Sequence, residues 1–327
     1  MTTEIGTDIE YAAELLRKGE VVAIPTETVY GLAVNALDAQ SVKKIYELKN
    51  RPADNPLIIH VADADQLREY VQNIPPMARA LLNEFSPGPL TVVLHKKDII
   101  PDIVTAGHIT VAIRIPQHPL TQRLLRATGF PLAAPSANPF TYISPTTAAH
   151  VAKMFNGRIR YILDGGPCQA GIESTIIGFA GENAVLYRPG AIAAEAVEKC
   201  IGERLCHPEK AVRTPGMHPK HYSPFTPVIA TNSLEYEIER NKGLSVCVIT
   251  YDTYSSLLPV TDQVLLGTSD DMSVAMNMLY AALHDMDQRG YDVIIAKRFP
   301  EHGLGVAIND RLDRAAKMKL PSKNHTI

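Results

Sequence analysis

Two basic residues, Lys49 and Arg51, stand one residue apart where a predicted amphipathic helix, Asp38–Lys49, gives way to an apolar strand. Residues at this spacing do not share a helix face. Pro52 favours an extended backbone at Arg51, so we expect the helix to end near Lys49. A helix C-terminus favours cations, and one interpretation is therefore a charged helix end. The other is that both cations project from a stiff loop towards an anion, with phosphate as the first choice.

Further polar side chains occur where the predicted strands of the first 190 residues end. Open α/β sheets place ligand sites at strand ends, so we expect these side chains to meet. Hydroxyl, amide and basic groups predominate, which fits an anionic ligand such as a nucleotide triphosphate or an amino-acid carboxylate. Glu27 is the acidic residue inside the first such segment, Pro25–Leu32. The set comprises Thr26, Thr28, Lys49, Arg51, Asn55, His60, Arg114, Ser136, Asn138, Ser144, Ser174 and Arg188.

Several of these residues also have a simpler interpretation. The segment Pro25–Leu32 can be a polar turn whose side chains satisfy backbone groups. His60 can be a structural histidine at a strand end, and Arg114 can be an exposed strand residue. The residues alone leave both interpretations open.

Hydrophobic periodicity predicts the elements that position these residues. The predicted helices cover residues 9–18, 38–49, 64–70, 76–85, 118–127 and 194–201, and a further helix begins at Pro145 with Ser144 as its N-cap. The predicted strands cover residues 21–24, 57–61, 90–94, 110–115, 131–134 and 159–163. Residues 173–179 and 184–187 form a predicted hairpin that turns at Gly181. Asp38 is the expected N-cap of the second helix.

Residues 206–227 are rich in Pro, His and Lys and have no apolar period, which predicts a linker along the surface. After it, strands at 228–230, 245–249 and 292–296 alternate with helices at 234–240, 272–287 and 305–317. This alternation predicts a small parallel-sheet, Rossmann-like domain. We therefore predict a catalytic α/β domain at residues 5–195, a linker at 196–226 and a small α/β domain at 227–327.

Composition narrows the class of protein. The chain has 327 residues, 46% hydrophobic and 20% charged, as expected for a globular protein of one large or two domains. A formal charge of −3 gives no global basic field for nucleic acid. The four cysteines show no CxxC spacing. Cys200, Cys206 and His207 could suggest a metal, but they lack a second ligand pair, so we interpret the cysteines as thiols of a reducing cytoplasm.

Several common signals do not occur in the sequence. The N-terminal residues have neither the basic nor the apolar region of a signal peptide. No run of 18 apolar residues predicts a membrane span. A Walker A sequence is not present, which excludes a P-loop cradle, and no GxSxG segment indicates a serine nucleophile. We expect a cytoplasmic protein without a membrane partner.

Short segments of the chain occur in the order in which they stand in the YrdC-like domain family, which the chain resembles over nearly its whole length. The linker and the small α/β domain resemble those of the long, two-domain branch of that family, the L-threonylcarbamoyladenylate synthases. The Lys-x-Arg and Ser-x-Asn motifs are the most specific. The matching segments are Pro25–Leu32, Lys49–Pro52, Ser86–Thr91, Arg114–Pro116, Ala134–Asn138, Ser174–Thr175, Arg188–Gly190, Pro215–Met217 and His221–Pro224.

The resemblance implies a twisted mixed β-sheet curved around a positively charged concavity. It also implies an enzyme that condenses L-threonine, bicarbonate or CO2 and ATP to L-threonylcarbamoyl-AMP and pyrophosphate. Mg²⁺ would enter with the ATP phosphates, without a protein cage. The product would pass to a separate tRNA threonylcarbamoyl transferase that makes N6-threonylcarbamoyladenosine. Direct binding of tRNA by this chain stays an open question.

The resemblance also implies roles for individual residues. Lys49 and Arg51 would neutralise the α-phosphate and the leaving pyrophosphate. ATP would be held by Arg51, Asn55, Thr110, Ser136, Asn138, Ser144 and Arg188, with Tyr222 of the linker covering the nucleotide. L-Threonine would be held by Thr28, His60, Arg114, the backbone of Ala134 and Ser174, with Arg114 on the carboxylate.

Two other functions are alternatives. A basic concave face could serve an RNA-binding module, but 6% aromatic residues and no Trp offer few stacking platforms. A carbamoyl transferase that uses a related adenylate would carry additional domains and Cys clusters, which we do not find in these 327 residues. The small C-terminal domain could also be a regulatory or gating element.

Overall fold

The computed structural model describes residues 2–208 and 221–317, and these form two compact units. The first unit lies within Met1–Phe140 and Ser144–Met217, and the second within Thr141–Ile143 and His218–Ile327. The segment Thr141–Ile143 therefore belongs to the second unit, although residues of the first unit flank it in the chain. In the described part of the chain, none of the helices combines the length and the hydropathy of a membrane span.

The first unit contains eight helices and ten strands among its described residues. The helices are α1 (Ile9–Arg17), α2 (Ala39–Lys49), α3 (Ala64–Tyr70), α4 (Pro76–Phe85), α5 (Asp102–Thr105), α6 (Pro119–Thr128), α7 (Ala148–Phe155) and α8 (Ala194–Ile201). The strands are β1 (Glu4–Gly6), β2 (Val22–Ile24), β3 (Gly31–Asn35), β4 (Ile58–His60), β5 (Leu90–His95), β6 (Thr110–Arg114), β7 (Leu132–Ala133), β8 (Tyr161–Leu163), β9 (Thr175–Ala180) and β10 (Asn183–Arg188).

These strands form one mixed sheet in the order β1-β8-β2-β3-β7-β4-β6-β5-β9-β10. The central strand β6 pairs with β4 in parallel and with β5 antiparallel. Strand β5 pairs with β9 in parallel, and β9 and β10 form the expected antiparallel hairpin. The prediction of a mixed sheet is confirmed, although the sequence did not predict β1, β3 or the short helix α5.

Helix α2 begins and ends as predicted. The Asp38 side chain accepts a hydrogen bond from Gln40 N at 3.0 Å and caps the first turn. The helix ends at Lys49 because Asn50 adopts the left-handed conformation, with φ 52°. Leu57–Val61 and Thr110–Ile115, both predicted as strands, contain β4 and β6.

The prediction that Ser144 caps a helix starting at Pro145 is wrong. Helix α7 starts three residues later, at Ala148, and its N-cap is Thr147, whose hydroxyl accepts from His150 N at 3.2 Å. The buried Ser144 hydroxyl instead donates to Glu173 Oε1 at 2.7 Å. A buried carboxylate is the stronger acceptor partner, so it takes the hydroxyl away from the helix end.

The two faces of the central strands have different environments. Side chains of one face, such as Ile59, Val92 and Ile113, join the main core with Val42 and Ile45 of α2. The opposite face carries a smaller apolar cluster, described below. A second core forms where α1 and α6 pack over the strands near β2. Since side chains alternate along a strand, the residues next to the core positions point to the opposite face.

The second unit contains β11 (Val228–Thr231), α9 (Leu234–Arg240), β12 (Val246–Thr250), β13 (Gln263–Leu265), α10 (Met272–Gln288), β14 (Val293–Lys297) and α11 (Leu304–Ala315). Its four strands are all parallel, in the order β11-β14-β12-β13. The predicted parallel-sheet unit is confirmed, and β13 is the strand that the periodicity missed. The predicted domain boundaries at residues 195 and 227 stay predictions.

Candidate active site

A row of polar side chains crosses the face of the sheet opposite to the main core. His60 at the end of β4 pairs in register with Arg114 at the end of β6, and Thr91 of β5 pairs with Arg114 from the other side. Residues opposite one another on paired strands point to the same face. Ser174, just before β9, joins the row because its Oγ lies 2.7 Å from Thr91 Oγ1. All four side chains are buried.

Arg114 is the charged centre of this row. Its Nε donates to the carbonyl of Gly88 at 3.2 Å, and its Nη1 donates to Thr28 Oγ1 at 2.9 Å. Its Nη2 lies 2.7 Å from Glu27 Oε1, an ion pair without hydrogen-bond geometry. The interpretation of Arg114 as an exposed strand residue is therefore wrong, since its side chain is only 5% exposed.

The turn Thr26–Val29 presents two of the three partners of Arg114, Glu27 and Thr28. Thr26 Oγ1 donates to the Val29 carbonyl at 2.6 Å and accepts from the N–H groups of Thr28 and Val29 at 3.2 Å. Its hydroxyl also lies 2.8 Å from Thr28 Oγ1. This closed turn after β2 directs Glu27 and Thr28 towards the polar row.

His60 is a neutral imidazole in this row. Burial, and then the nearby charge of Arg114, lower the pKa of His60 to about 3. Among the described residues, its Nδ1 has no hydrogen-bond partner. His60 can therefore offer an acceptor to a ligand, which a fully satisfied structural histidine could not.

Lys49 does not project from a loop, and that part of the prediction is wrong. It is the last residue of α2 and is buried, and its Nζ donates to the backbone carbonyls of Ser136 and Asn138. Burial, and then the charge of Arg51, hold the pKa of Lys49 well below its ordinary value. Lys49 thus ties the end of α2 to the Ser-x-Asn loop.

Arg51 lies in the loop that follows α2, where it organises the chain towards β4. Its Nη2 donates to Asn55 Oδ1 at 2.6 Å and to the Pro56 carbonyl at 2.8 Å, and its Nε donates to the Asn55 carbonyl at 3.0 Å. Arg51 and Asn55, both predicted to bind ATP, are therefore in direct contact.

Several further predicted residues lie beside the row. Arg188 donates through Nη2 to the carbonyl and the Oγ of Ser174, at 2.9 and 3.0 Å. Ala134 and Ser136 follow β7, and Ser136 forms a bridge with Gly31. An added Cβ at Gly31 would lie 3.2 Å from Ala134 Cβ, so a glycine lets the two segments approach closely.

Thr110 is not brought to the polar row. Thr110 begins β6 and Arg114 ends it, so about four residues, roughly 13 Å, separate them. Thr110 lines a cavity of about 270 Å³ with His95, Tyr187 and others. An apolar cluster on the same face, Ile58, Ala112 and Ile176 with Val93 and Tyr187, lies between that end and the row.

Tyr222 belongs to the second unit, where its ring is buried. The Tyr280 ring lies 5.6 Å from it, and the Arg311 guanidinium stands 5.0 Å over its face. Its predicted contact with the nucleotide stays a prediction. The linker segment Pro215–Met217 lies outside the described residues.

Sequence reasoning gave no role to Glu27, Thr91 and Glu173. Glu27 lies in the polar segment Pro25–Leu32, but its partner Arg114 is 87 residues away in the sequence, and periodicity does not reveal such a pair. Thr91 carried a usable signal, since it interrupts an apolar strand on the face opposite to Leu90 and Val92. Among the described residues, no group of three or more His, Cys, Asp or Glu could hold a metal ion.

Two family models match the chain. The Sua5_yciO_yrdC model, described as "Telomere recombination", matches residues 14–190. The model described as "Threonylcarbamoyl-AMP synthase, C-terminal domain" matches residues 192–317. The fold and the site thus define a YrdC-like α/β domain followed by a second α/β unit.

Similar proteins match over nearly the full length. The threonylcarbamoyl-AMP synthase of Pyrococcus abyssi (strain GE5 / Orsay) is 42% identical over an alignment of 328 positions, gaps included, which covers 95% of this chain and 95% of the relative. That of Bacillus subtilis (strain 168) is 42% identical over an alignment of 333 positions, which covers 97% of this chain and 96% of the relative. The crystal structure of P. abyssi Sua5 complexed with L-threonine has a TM-score of 0.88 at 41% identity, covering 96% of this chain and 98% of that one.

This chain belongs to the threonylcarbamoyl-AMP synthase family, whose members are enzymes of the nucleotidyltransferase type. The expected fold class, family and enzyme class are thereby confirmed. The roles of the individual site residues stay predictions.

Proposed function

We propose that this protein condenses L-threonine, CO2 or bicarbonate and ATP to L-threonylcarbamoyl-AMP and pyrophosphate. The observation that carries the proposal is the buried polar row of His60, Arg114, Thr91 and Ser174 beside Thr28. A buried guanidinium suits an α-carboxylate, and hydroxyls with a neutral imidazole suit the threonine hydroxyl. The L-threonine named for the P. abyssi Sua5 crystal structure supports this choice of amino acid.

In this proposal the amino acid contacts Thr28, His60, Arg114, Ser174 and the backbone of Ala134. ATP contacts a second group of residues, namely Arg51, Asn55, Thr110, Ser136, Asn138, Ser144, Arg188 and Tyr222. Arg51 neutralises charge at the α-phosphate. Lys49 contributes its charge from behind the Ser-x-Asn loop, because its ammonium already donates to the carbonyls of that loop.

The reaction needs two bond-forming steps. The α-ammonium of threonine loses a proton, and the amine nitrogen attacks the carbon of CO2. Loss of a second proton leaves a carbamate; from bicarbonate, the same product forms with loss of water. A carbamate oxygen then attacks the α-phosphorus while the bond to the β-phosphate oxygen breaks, and pyrophosphate leaves with the electron pair. Positioning and charge neutralisation, rather than a covalent enzyme intermediate, accelerate such a step.

Mg²⁺ would accompany the ATP phosphates and be held by phosphate oxygens and water. The product is a mixed anhydride, which fits consumption by a transferase that places the threonylcarbamoyl group on tRNA. We propose that the enzyme works in the cytoplasm, since its four cysteines are free thiols. We also propose that residues 5–195 carry the chemistry, that 196–226 link the two domains and that 227–327 form an accessory domain.

The test is threonine-dependent release of pyrophosphate by the purified chain. Arg51→Ala should lower kcat by about 100-fold or more, because a preorganised charge at the reacting phosphate is removed. Arg126→Ala, an exposed arginine of α6, is the matched control and should leave the rate unchanged. Near-normal turnover by Arg51→Ala would refute the role of Arg51. A wild-type rate that does not depend on threonine would refute the proposed function.

A further inference from the structure

Glu27 is a buried carboxylate that has no role in the proposed reaction as described above. The residue is 4% exposed, and its ionic contact is with Arg114 Nη2 at 2.7 Å. Neither of its carboxylate oxygens has a hydrogen-bond partner among the described residues. Burial of a carboxylate is costly unless hydrogen bonds accompany the ion pair. A single ion pair therefore leaves Glu27 only partly compensated.

Other polar atoms around Glu27 share this property. Within the described residues, no hydrogen bond is made by Arg114 Nη2 or His60 Nδ1. The two residues are register partners on adjacent strands, and Arg114 contacts Glu27 directly. Ser86 Oγ also has no hydrogen-bond partner among the described residues. Ser86 precedes by two residues Gly88, whose carbonyl accepts from Arg114 Nε. Folded proteins leave few such atoms, so a group of them around one ion pair indicates groups that a ligand satisfies.

The hydrogen-bonding character of these atoms specifies the ligand. The two oxygens of Glu27 accept only, and neutral His60 can accept through Nδ1. Arg114 donates only. A complementary ligand therefore brings an anionic group for Arg114 and N–H or O–H donors for Glu27 and His60. An α-amino acid with a side-chain hydroxyl has all three.

A ligand with a carboxylate alone would fit poorly. It would place a second anion beside Glu27 at a buried position, and like charges at such distances repel strongly in a low-dielectric site. An ammonium group on the same ligand reverses the sign of that contribution. The pair Arg114 and Glu27 is thus suited to the two opposite charges of a zwitterion.

We propose that Glu27 recognises the α-ammonium group of the amino-acid substrate while Arg114 takes its carboxylate. The inference rests on the proposed function and adds a residue that determines its specificity. The contact can persist through the reaction, because the carbamate nitrogen keeps one N–H after both protons have left. That N–H donating to Glu27 would hold the carbamate oxygens in a fixed direction from the nitrogen.

The experiment is calorimetric titration of the full chain without ATP, using two ligands. One is L-threonine, and the other is 2,3-dihydroxybutanoate, in which a hydroxyl replaces the ammonium. The variants are Glu27→Gln and Glu27→Asp. The control is Glu47→Gln, an exposed glutamate 3.7 Å from Lys43. Melting temperatures check that each variant is folded.

Glu27→Gln should weaken threonine binding by about 10- to 100-fold, the loss expected for a hydrogen bond to a charged group. Its affinity for dihydroxybutanoate should fall much less or should rise, because an uncharged hydroxyl donates a weaker hydrogen bond to Glu27 and the repulsion between the two carboxylates is relieved. Glu47→Gln should resemble the wild type. Equal weakening for both ligands would mean a structural role and would overturn the proposal. If Glu27→Gln bound both ligands more tightly, Glu27 would only neutralise Arg114. If neither affinity changed, Glu27 would contact neither ligand. Either result would also overturn the proposal.

If Glu27→Gln does not fold, Glu27→Asp decides, because it keeps the charge but withdraws it by one methylene. A larger loss for threonine than for dihydroxybutanoate supports the proposal, and equal losses overturn it. Wild-type protein that fails to bind threonine would overturn the proposed function together with this inference. Wild-type binding with an unaffected Glu27→Gln variant would overturn this inference alone.

Discussion

Replacing Gly190 by Ala should impair catalysis, because Gly190 lies against the backbone that presents Ser174. A Cβ at position 190 would lie 2.5 Å from the Glu173 carbonyl oxygen, the Ser174 carbonyl carbon and the Thr175 nitrogen. Carbon contacts have their optimum near 3.5–4.0 Å, so about 1 Å of overlap must be relieved. All three atoms belong to the backbone, and segment 173–175 must therefore move. Ser174 moves with it, away from Thr91 Oγ1, which is now 2.7 Å from its Oγ.

The overlap sets the expected loss of stability and the expected loss of activity in Gly190→Ala. Overpacking against backbone costs about 1–3 kcal/mol of unfolding free energy, which corresponds to a fall in melting temperature of about 3–10 °C for a unit of this size. A misplacement of about 1 Å in a substrate-positioning group can lower the rate about 100-fold. We therefore expect kcat/KM for threonine, measured by pyrophosphate release, to fall about 100-fold while the protein stays folded at 25 °C.

Gly202→Ala is the matched control for Gly190→Ala. Gly202 ends α8 at φ 76°, and an added Cβ there would meet no atom within 4 Å. The left-handed backbone should cost about 1 kcal/mol of stability and leave kcat/KM unchanged. If folded Gly190→Ala kept kcat/KM within about threefold of the wild type, the idea that Gly190 fixes the position of Ser174 would be refuted.

Three further predictions concern buried ionisable groups and the second unit. The pKa of Lys49 is lowered in the folded protein, so Lys49 of the unfolded chain binds a proton more tightly, and the contribution of Lys49 to stability rises with pH towards 10.5. The difference in melting temperature between the wild type and Lys49→Met should therefore increase between pH 7 and pH 10. A difference that stays constant over this range would contradict the prediction. His60, with a pKa of about 3 against 6.5 unfolded, should make wild-type stability fall more steeply than that of His60→Gln as the pH drops from 7 to 4; parallel curves in thermal melts would argue against a buried neutral imidazole. A chain truncated after Pro208 keeps α8, whose Val197 belongs to the main core. This fragment should fold and bind threonine but should lose threonine-dependent pyrophosphate release. Full activity of the fragment would show that the linker and the second unit are dispensable.

Local signals in the sequence were sufficient where one segment determines the outcome. Asp38 predicted the start of α2 and Pro52 its end near Lys49, and both predictions are confirmed. The alternation of strands and helices after residue 227 predicted a parallel sheet, since only parallel strands need such crossovers. Strand β13 escaped because three residues, Gln263–Leu265, carry too little periodicity to be recognised.

Contacts between distant segments could not be read from periodicity. Lys49 reaches carbonyls 87 and 89 residues away, and Thr91 reaches Ser174 across 83 residues. These contacts follow from the strand order around β6, in which neighbours in space are far apart in the chain. The mistaken cap at Ser144 has the same origin, because Glu173, its actual partner, is 29 residues away. The residue types of the site were thus predictable, whereas their pairing was not.

The four basic residues of the site share one structural feature that bears on how it works. Each donates to at least one backbone carbonyl of another segment or of the following loop: Lys49 to Ser136 and Asn138, Arg51 to Pro56, Arg114 to Gly88 and Arg188 to Ser174. The positive charges are therefore fixed in place by the same contacts that hold the loops together. A reaction that develops negative charge on a phosphate gains most from cations that need not reorganise. Loss of any one of these four side chains should therefore both remove a positive charge and loosen a loop. Gly190→Ala leaves every charge present, so substitutions of this kind are needed to separate positioning from electrostatics.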